Sequence, residues 1–382
     1  MEGAMGKAAL VEQKALRLLQ ILLMMALLGC HRQIDLSAAL PPQGPWPTQA
    51  EAELSEGLDV AAAASYSAQH NGAALVILRH GKLVYAAGQN GHDLHRSRHL
   101  FSGTKSFSCA LAAILQRDGQ LELDQPAAQV LQEWQADPKK SRITVRQLLN
   151  FTSGLQDDQR GLTMDGLRNR QKVPDKYALA ATLPAARDPG TQYAYGSQHL
   201  MAFGAWVLRR THREPLDILQ ERLFTPLEMQ FTGWIKDAAG HAALPYGAWT
   251  TALQWAKYGE LVRQKGQWQG QQVVDAAALE QCFRGSEAMP AYGLSWWLNA
   301  PLTTAQVQAA IVPPRIGGDG KRAYGDEAPE DLLIAAGFDD QRLYVSRSAG
   351  LVVARLAGGS VKWRDGEFWR LLLKGAGGLA GR

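Results

Sequence analysis

The sequence predicts an α+β protein: an antiparallel sheet with covering helices, interrupted by an inserted all-helical domain. Two observations carry this expectation. Strand-like runs come early, at 73–78 and 82–87, and late, at 332–338, 343–346 and 351–356. Between 101 and 235 the pattern changes to helices and turns with little strand signal. A sheet domain formed from 54–100 and 240–382 would then enclose a mainly helical domain at 101–239, with a cleft at their interface. The 382 residues suffice for two domains, and 46% hydrophobic with 20% charged residues is an ordinary globular balance. No internal repeat is evident.

The N-terminal thirty residues differ in character. Lys7, Lys14 and Arg17 precede the apolar run 18–28, which ends in Gly29-Cys30. A short basic region followed by a short apolar stretch reads as an export signal, too brief for a comfortable membrane span. The ending Leu27-Leu28-Gly29-Cys30 resembles the bacterial lipoprotein cleavage box, which makes Cys30 the expected lipid-bearing residue. His31 stands where an aspartate would signal inner-membrane retention, so the expected placement is an outer-membrane lipoprotein facing the periplasm. Residues 31–53, with Pro41, Pro42, Pro45 and Pro47, read as a tether. The net charge of +4 comes without a basic block interleaved with aromatics, which argues against nucleic acid as a partner.

Along the body, a helix at 58–69 precedes two strands joined by Arg79-His80-Gly81. His92, His95 and His99 follow in a glycine- and arginine-rich setting without helical periodicity, so a surface approach is expected rather than a metal centre. Then comes Phe101-Ser102-Gly103-Thr104-Lys105-Ser106-Phe107, ahead of the apolar run 109–115. Serine and lysine three residues apart share one helix face. Burial of that helix favours the neutral lysine, the form that can take a proton from a hydroxyl. The helix start also offers backbone donors to a developing oxyanion. The plainer alternative is a polar helix start packed on a core. Cys109 sits in this core helix, where a buried free thiol is expected, although export would permit a disulfide with Cys282.

A helix at 143–149 has Thr144 as its cap, and Thr152-Ser153-Gly154-Leu155 turns at its end. Asn150-Phe151-Thr152 matches a glycosylation sequon that carries no meaning behind a bacterial export signal. Residues 156–175 read as a polar surface excursion. Pro189-Gly190-Thr191 makes a turn into Gln192-Tyr193-Ala194-Tyr195-Gly196-Ser197, where Tyr195 and Ser197 flank a glycine and can approach one point. A core tyrosine with Ser197 as a polar cap is the alternative there. Helices follow at 199–209, 216–223 and 251–263. An aromatic strand at 292–298 contains Trp296 and Trp297, which form a cleft wall or face opposite layers. Residues 313–331 read as a loop, and 368–373 as an amphipathic end.

Taken together, the Ser102–Lys105 helix, the Tyr195 turn and the late Ala335-Ala336-Gly337 strand resemble the serine beta-lactamase and penicillin-binding-protein superfamily. Within it the chain is most similar to class C-like serine hydrolases, including esterases and 6-aminohexanoate-dimer hydrolases. The likeness runs from about residue 60 to 375 and includes Pro189-Gly190-Thr191, Phe224-Thr225-Pro226-Leu227, Tyr292-Gly293, Trp296-Trp297 and Gln341. It implies a beta-lactamase/transpeptidase-like fold and no cofactor or metal. It implies Ser102 as acylated nucleophile, Lys105 as the amine that deprotonates it, and Tyr195 as proton shuttle. The backbone N–H groups of Ser102 and Phe338 would form the oxyanion hole. Two departures fall on the substrate side. Ser197 replaces the superfamily's asparagine, and Ala335 and Ala336 replace the charged and hydroxyl-bearing residues before Gly337. Arg315, Arg322 and Arg342 are candidates for the missing charge. The implied activity is hydrolysis of a small ester or linear amide. The alternatives are a beta-lactamase, a peptidoglycan DD-peptidase, or a noncatalytic cell-envelope scaffold.

Overall fold

The computed structural model describes residues 55–156, 162, 173–310, 319–359 and 362–373. Cys30 with the signal and tether, Arg315, and most of the excursion expected at 156–175 lie outside the described residues.

The chain opens with α1 (Val60–Gln69), capped by the Asp59 carboxylate on the Ala62 N–H, and then β1 (Gly72–Arg79) and β2 (Lys82–Gly88). β3 (Arg98–His99) leads into a 3-10 helix, Phe101–Ser106, that continues as α2 (Phe107–Arg117). Helices α3 (Val145–Leu149), α4 (Lys176–Thr182), α5 (Gln198–Thr211) and α6 (Pro215–Leu219) follow. After them come β4 (Gly233–Trp234), β5 (Ala248–Thr250), α7 (Ala252–Arg263), the hairpin β6 (Gln267–Trp268) and β7 (Gln271–Gln272), and α8 (Ala276–Glu280). The last stretch holds β8 (Trp297–Leu298), α9 (Thr304–Ala309), β9 (Leu333–Gly337), β10 (Gln341–Ser346), β11 (Leu351–Ala357) and α10 (Asp365–Leu373).

The main sheet runs β2-β1-β11-β10-β9-β8 and is antiparallel throughout. Early and late strands meet at the β1–β11 pair, where Val76 lies opposite Ala354. That closure is the α+β architecture expected from strands at both ends of the body. Both sheet faces are covered, which is why β1 and β11 read as continuous apolar runs. On one face Leu343 and Val352 meet α7, and a Cβ on Gly259 would lie 2.5 Å from Val352 Cγ1. On the other, Tyr344 stacks on Phe368 of α10 (5.8 Å) and Arg355 donates to the Ser67 hydroxyl of α1.

Local chemistry explains the helix starts. Thr144 caps α3 in a reciprocal box with Gln147, as the sequence implied, and Thr251 caps α7. Two elements differ from expectation. The helix expected at 216–223 is α6 followed by a wider π turn, Gln220–Phe224. The strand expected at 292–298 is reduced to β8, because Ser295 turns left-handed (φ 64°) and Leu294 N–H bonds to the Cys282 carbonyl instead of a strand partner.

Cys109 is not a free thiol. It forms a disulfide with Cys282, with Cα atoms 5.8 Å apart. Burial alone was consistent with either state; the decisive fact is that α8 and the turn after it pack on α2. The bridge spans 173 positions, a long loop whose closure restricts the unfolded chain. The double variant Cys109→Ala/Cys282→Ala is expected to lose about 2–5 kcal/mol in urea unfolding. Superimposable unfolding curves for variant and parent would show that the bridge adds nothing.

Candidate active site

Ser102 and Lys105 lie in the 3-10 helix, where residues three apart eclipse one another, so the two side chains converge more directly than on an α-helix. Lys105 Nζ is 2.9 Å from Ser102 Oγ and 2.9 Å from the Pro245 carbonyl. The lysine is 4% exposed, and burial lowers its proton affinity to about 7. Several contacts fix this segment from outside. Leu100 N–H bonds to the Ala248 carbonyl, the Thr104 hydroxyl accepts from Ala248 N–H, and Tyr258 donates to the Ser106 carbonyl. Phe101, immediately before the serine, is held at φ 48°, a conformation costing a non-glycine residue about 1–2 kcal/mol.

Tyr195 comes to the same point from the turn before α5. Lys105 Nζ lies 5.0 Å from the centre of its ring. The ring stacks on Trp297 (5.6 Å, 21°) and meets Phe151 edge-on at 5.6 Å. Burial pushes its phenol up to about 12, while contact with the Ser102 hydroxyl and the nearby Arg342 charge pull the other way. Between these two values both groups are neutral: the proton sits on the phenol and the amine is free.

The third wall is the end of β9. Gly337 abuts the segment before Ser102 so closely that a Cβ would sit 2.1 Å from the Leu100 carbonyl oxygen. Beyond it Asp339 and Asp340 are both left-handed (φ 55° and 60°). Gln341 Nε2 donates to the Asp339 carbonyl and Arg355 to the Asp340 carbonyl (2.7 Å), which holds this strained turn in place. The Phe338 ring is 66% exposed and meets Phe101 edge-on at 5.6 Å.

Trp297 forms a wall against Tyr195, whereas Trp296 packs into the opposite layer on Tyr258 and Phe283. Ser197 occupies the N-cap position of α5 but makes no side-chain cap bond. Ala335 is buried in register with Leu343, and Ala336 is opposite Arg342. Arg342 is tied to Asp365 at 2.8 Å and Arg322 to Glu330, so neither stands as an unpaired charge at the alanine position. The three histidines diverge. His92 pairs with Arg98, His95 N–H bonds to Asp93, and His99 stacks flat on Trp249 with its Nε2 on the Tyr246 carbonyl. Pro245, whose carbonyl orients Lys105, left no trace in the sequence: it is 140 positions away, and a backbone acceptor has no residue signature.

The arrangement sets a hydroxyl beside a buried amine, with the Tyr195 ring next to both. Esterase EstB of Burkholderia gladioli is 27% identical over 197 residues, 46% of this chain and about half (50%) of the esterase's own length. Among solved structures, a protein assigned as a 6-aminohexanoate-dimer hydrolase from Bacillus anthracis superposes with TM-score 0.65 at 15% identity, covering 88% of this chain and 89% of that one. A penicillin-binding-protein homologue from Caulobacter crescentus gives TM-score 0.62 at 15% identity, covering 87% and 98%. At such identities the two structures establish the fold alone. The Beta-lactamase family model matches residues 49–367, and with that span the chain belongs to the beta-lactamase family of the serine-hydrolase superfamily.

Proposed function

We propose that the protein hydrolyses a small ester or linear amide through an acyl-enzyme on Ser102. The observation that carries this reading is the 2.9 Å contact between Ser102 Oγ and a buried Lys105 whose proton affinity is lowered to about 7. One Nζ hydrogen goes to the Pro245 carbonyl, which leaves the amine lone pair free to turn toward the serine. As Oγ attacks the substrate carbonyl carbon, its proton passes to Lys105. Developing charge on the carbonyl oxygen is met by the N–H groups of Ser102 and Phe338. The leaving alcohol or amine takes a proton through Tyr195. Water then attacks the acyl-enzyme with its proton leaving by the same pair, and Ser102 regains its hydrogen as the acid departs.

On the substrate side, Ala336 is partly exposed next to the exposed Phe338 ring, while Ser197, Ala335 and Gly337 are buried, and none of the four carries a charge. That surface supports a neutral ester or amide over a penicillin, whose carboxylate would meet no cation at Ala335. Location in the cell envelope, through a lipid on Cys30, is part of the same proposal. The Cys109–Cys282 bridge supports export, since disulfides persist in oxidising compartments.

Intact mass spectrometry after a fluorophosphonate probe tests the reading. One adduct that maps to residue 102, together with turnover of p-nitrophenyl acetate and little of benzylpenicillin, is expected. An unlabelled protein, or labelling elsewhere, would end the acyl-enzyme proposal. The same spectrum of the envelope-isolated protein reads the anchor: an unmodified chain starting at Met1 contradicts lipid attachment.

A further inference from the structure

We propose that His199, with Ser153, is a positioning residue that holds Tyr195 against Ser102. This rests on the reading that Tyr195 carries protons for the serine. His199 lies in the first turn of α5, fully buried, and takes no part in the chemistry described above. Its Nε2 is 2.8 Å from the carbonyl of Ala194, the residue directly before Tyr195. A carbonyl only accepts, so Nε2 carries the hydrogen. Nδ1 is then an acceptor, and it lies 2.8 Å from the Ser153 hydroxyl. That hydroxyl already accepts from Leu155 N–H, so its single proton points to the ring. Each group has one assignment.

The same turn grips the other side of Ala194, whose N–H bonds to the Phe151 carbonyl at 3.0 Å. The Phe151 ring lies flat on His199 (4.8 Å, 12°) and edge-on to Tyr195. The peptides on both sides of Ala194 are thus fastened to the 151–155 turn, and the tyrosine leaves that fixed point toward Lys105. Burial, and secondarily the Lys105 charge, oppose a second proton on the imidazole and lower its affinity to about 4. The ring stays neutral where Lys105 titrates, so the clamp does not open as the base gains its proton.

The two ring nitrogens can be separated by substitution. In His199→Gln the amide N–H reaches the place of Nε2, whereas in His199→Asn the shorter amide reaches only the place of Nδ1. With p-nitrophenyl acetate, His199→Phe is expected to lower kcat about 10- to 100-fold with KM changed less than about threefold, as for a catalytic group displaced by an ångström or less. His199→Gln should recover most of that loss and His199→Asn little of it. Wild-type kcat in His199→Phe, or equal rates in the glutamine and asparagine variants, overturns the proposal. If the phenylalanine variant does not fold, the glutamine–asparagine comparison decides. Ser102→Ala run in parallel separates the two layers. Turnover surviving there removes the underlying reading, whereas an inactive Ser102→Ala beside a fully active His199→Phe removes this inference alone.

Discussion

Ser102→Ala is expected to lower kcat for p-nitrophenyl acetate by about four to six powers of ten, the loss typical of removing a nucleophile that works as a unit with its base. The substitution deletes one oxygen and leaves the backbone intact. The N–H of residue 102 and that of Phe338 therefore remain in place, and the residual rate reports what the proposed oxyanion donors and the rest of the site achieve without the hydroxyl. Lys105 loses one of its two hydrogen-bond partners but keeps the Pro245 carbonyl. The 3-10 helix is also held through Leu100, Thr104 and Ser106, so the variant should fold as the parent does. Steady-state turnover, with a circular dichroism melt to confirm folding, checks this. A folded variant within about tenfold of wild type would remove Ser102 from the chemistry, because a loss that small is less than even a single general-base contribution.

Lys105→Ala should slow acylation by roughly two to four powers of ten, the usual worth of a positioned general base. Its pH dependence carries the stronger test. In the proposed mechanism the neutral amine is the active form, and burial lowers its proton affinity to about 7. As pH falls below that value Lys105 becomes an ammonium, its lone pair is lost, and acylation falls tenfold per pH unit. Above it the rate levels off, since Tyr195 keeps its proton until about 12. Single-turnover acylation from pH 5.5 to 9 should therefore bend near 7 in the wild type and lose that bend in Lys105→Ala. Lys105→Arg should not restore the rate, because a guanidinium stays charged throughout this range. A flat wild-type profile, or an alanine variant that acylates at the wild-type rate, would assign the proton transfer to another group.

Part of this geometry was legible because chemistry and periodicity coincide in short stretches. Ser102 and Lys105 are three residues apart ahead of an apolar run, which predicts a shared face on a buried helix. For Tyr195 the turn and its neighbouring glycine allowed either an approach to the serine or a core tyrosine, and the structure puts its ring centre 5.0 Å from Lys105 Nζ. The strands at 73–87 and 333–357 announced themselves by apolar runs between turns. Other features needed contacts between distant segments. Cys109 and Cys282 are each unremarkable in sequence, and only the packing of α8 on α2 brings them together. Arg342 read as a possible replacement charge, but cross-strand register and the start of α10 give it to Asp365. The aromatic run at 292–298 carried a strand signal, which local backbone bonding at Leu294 and a left-handed Ser295 cut short.

The sequence by itself determined the α+β architecture, the placement of serine and lysine on one face, and the short, uncharged side chains at Ala335, Ala336 and Ser197. These follow from side-chain identity and local spacing, which act over a few residues. The tertiary structure alone decided the Pro245 carbonyl as the second partner of Lys105 and the contacts that His199 and Ser153 make at the Tyr195 turn. Proton affinity and hydrogen-bond direction depend on burial and on partners up to 140 positions away, and those exist only once the chain has closed on itself.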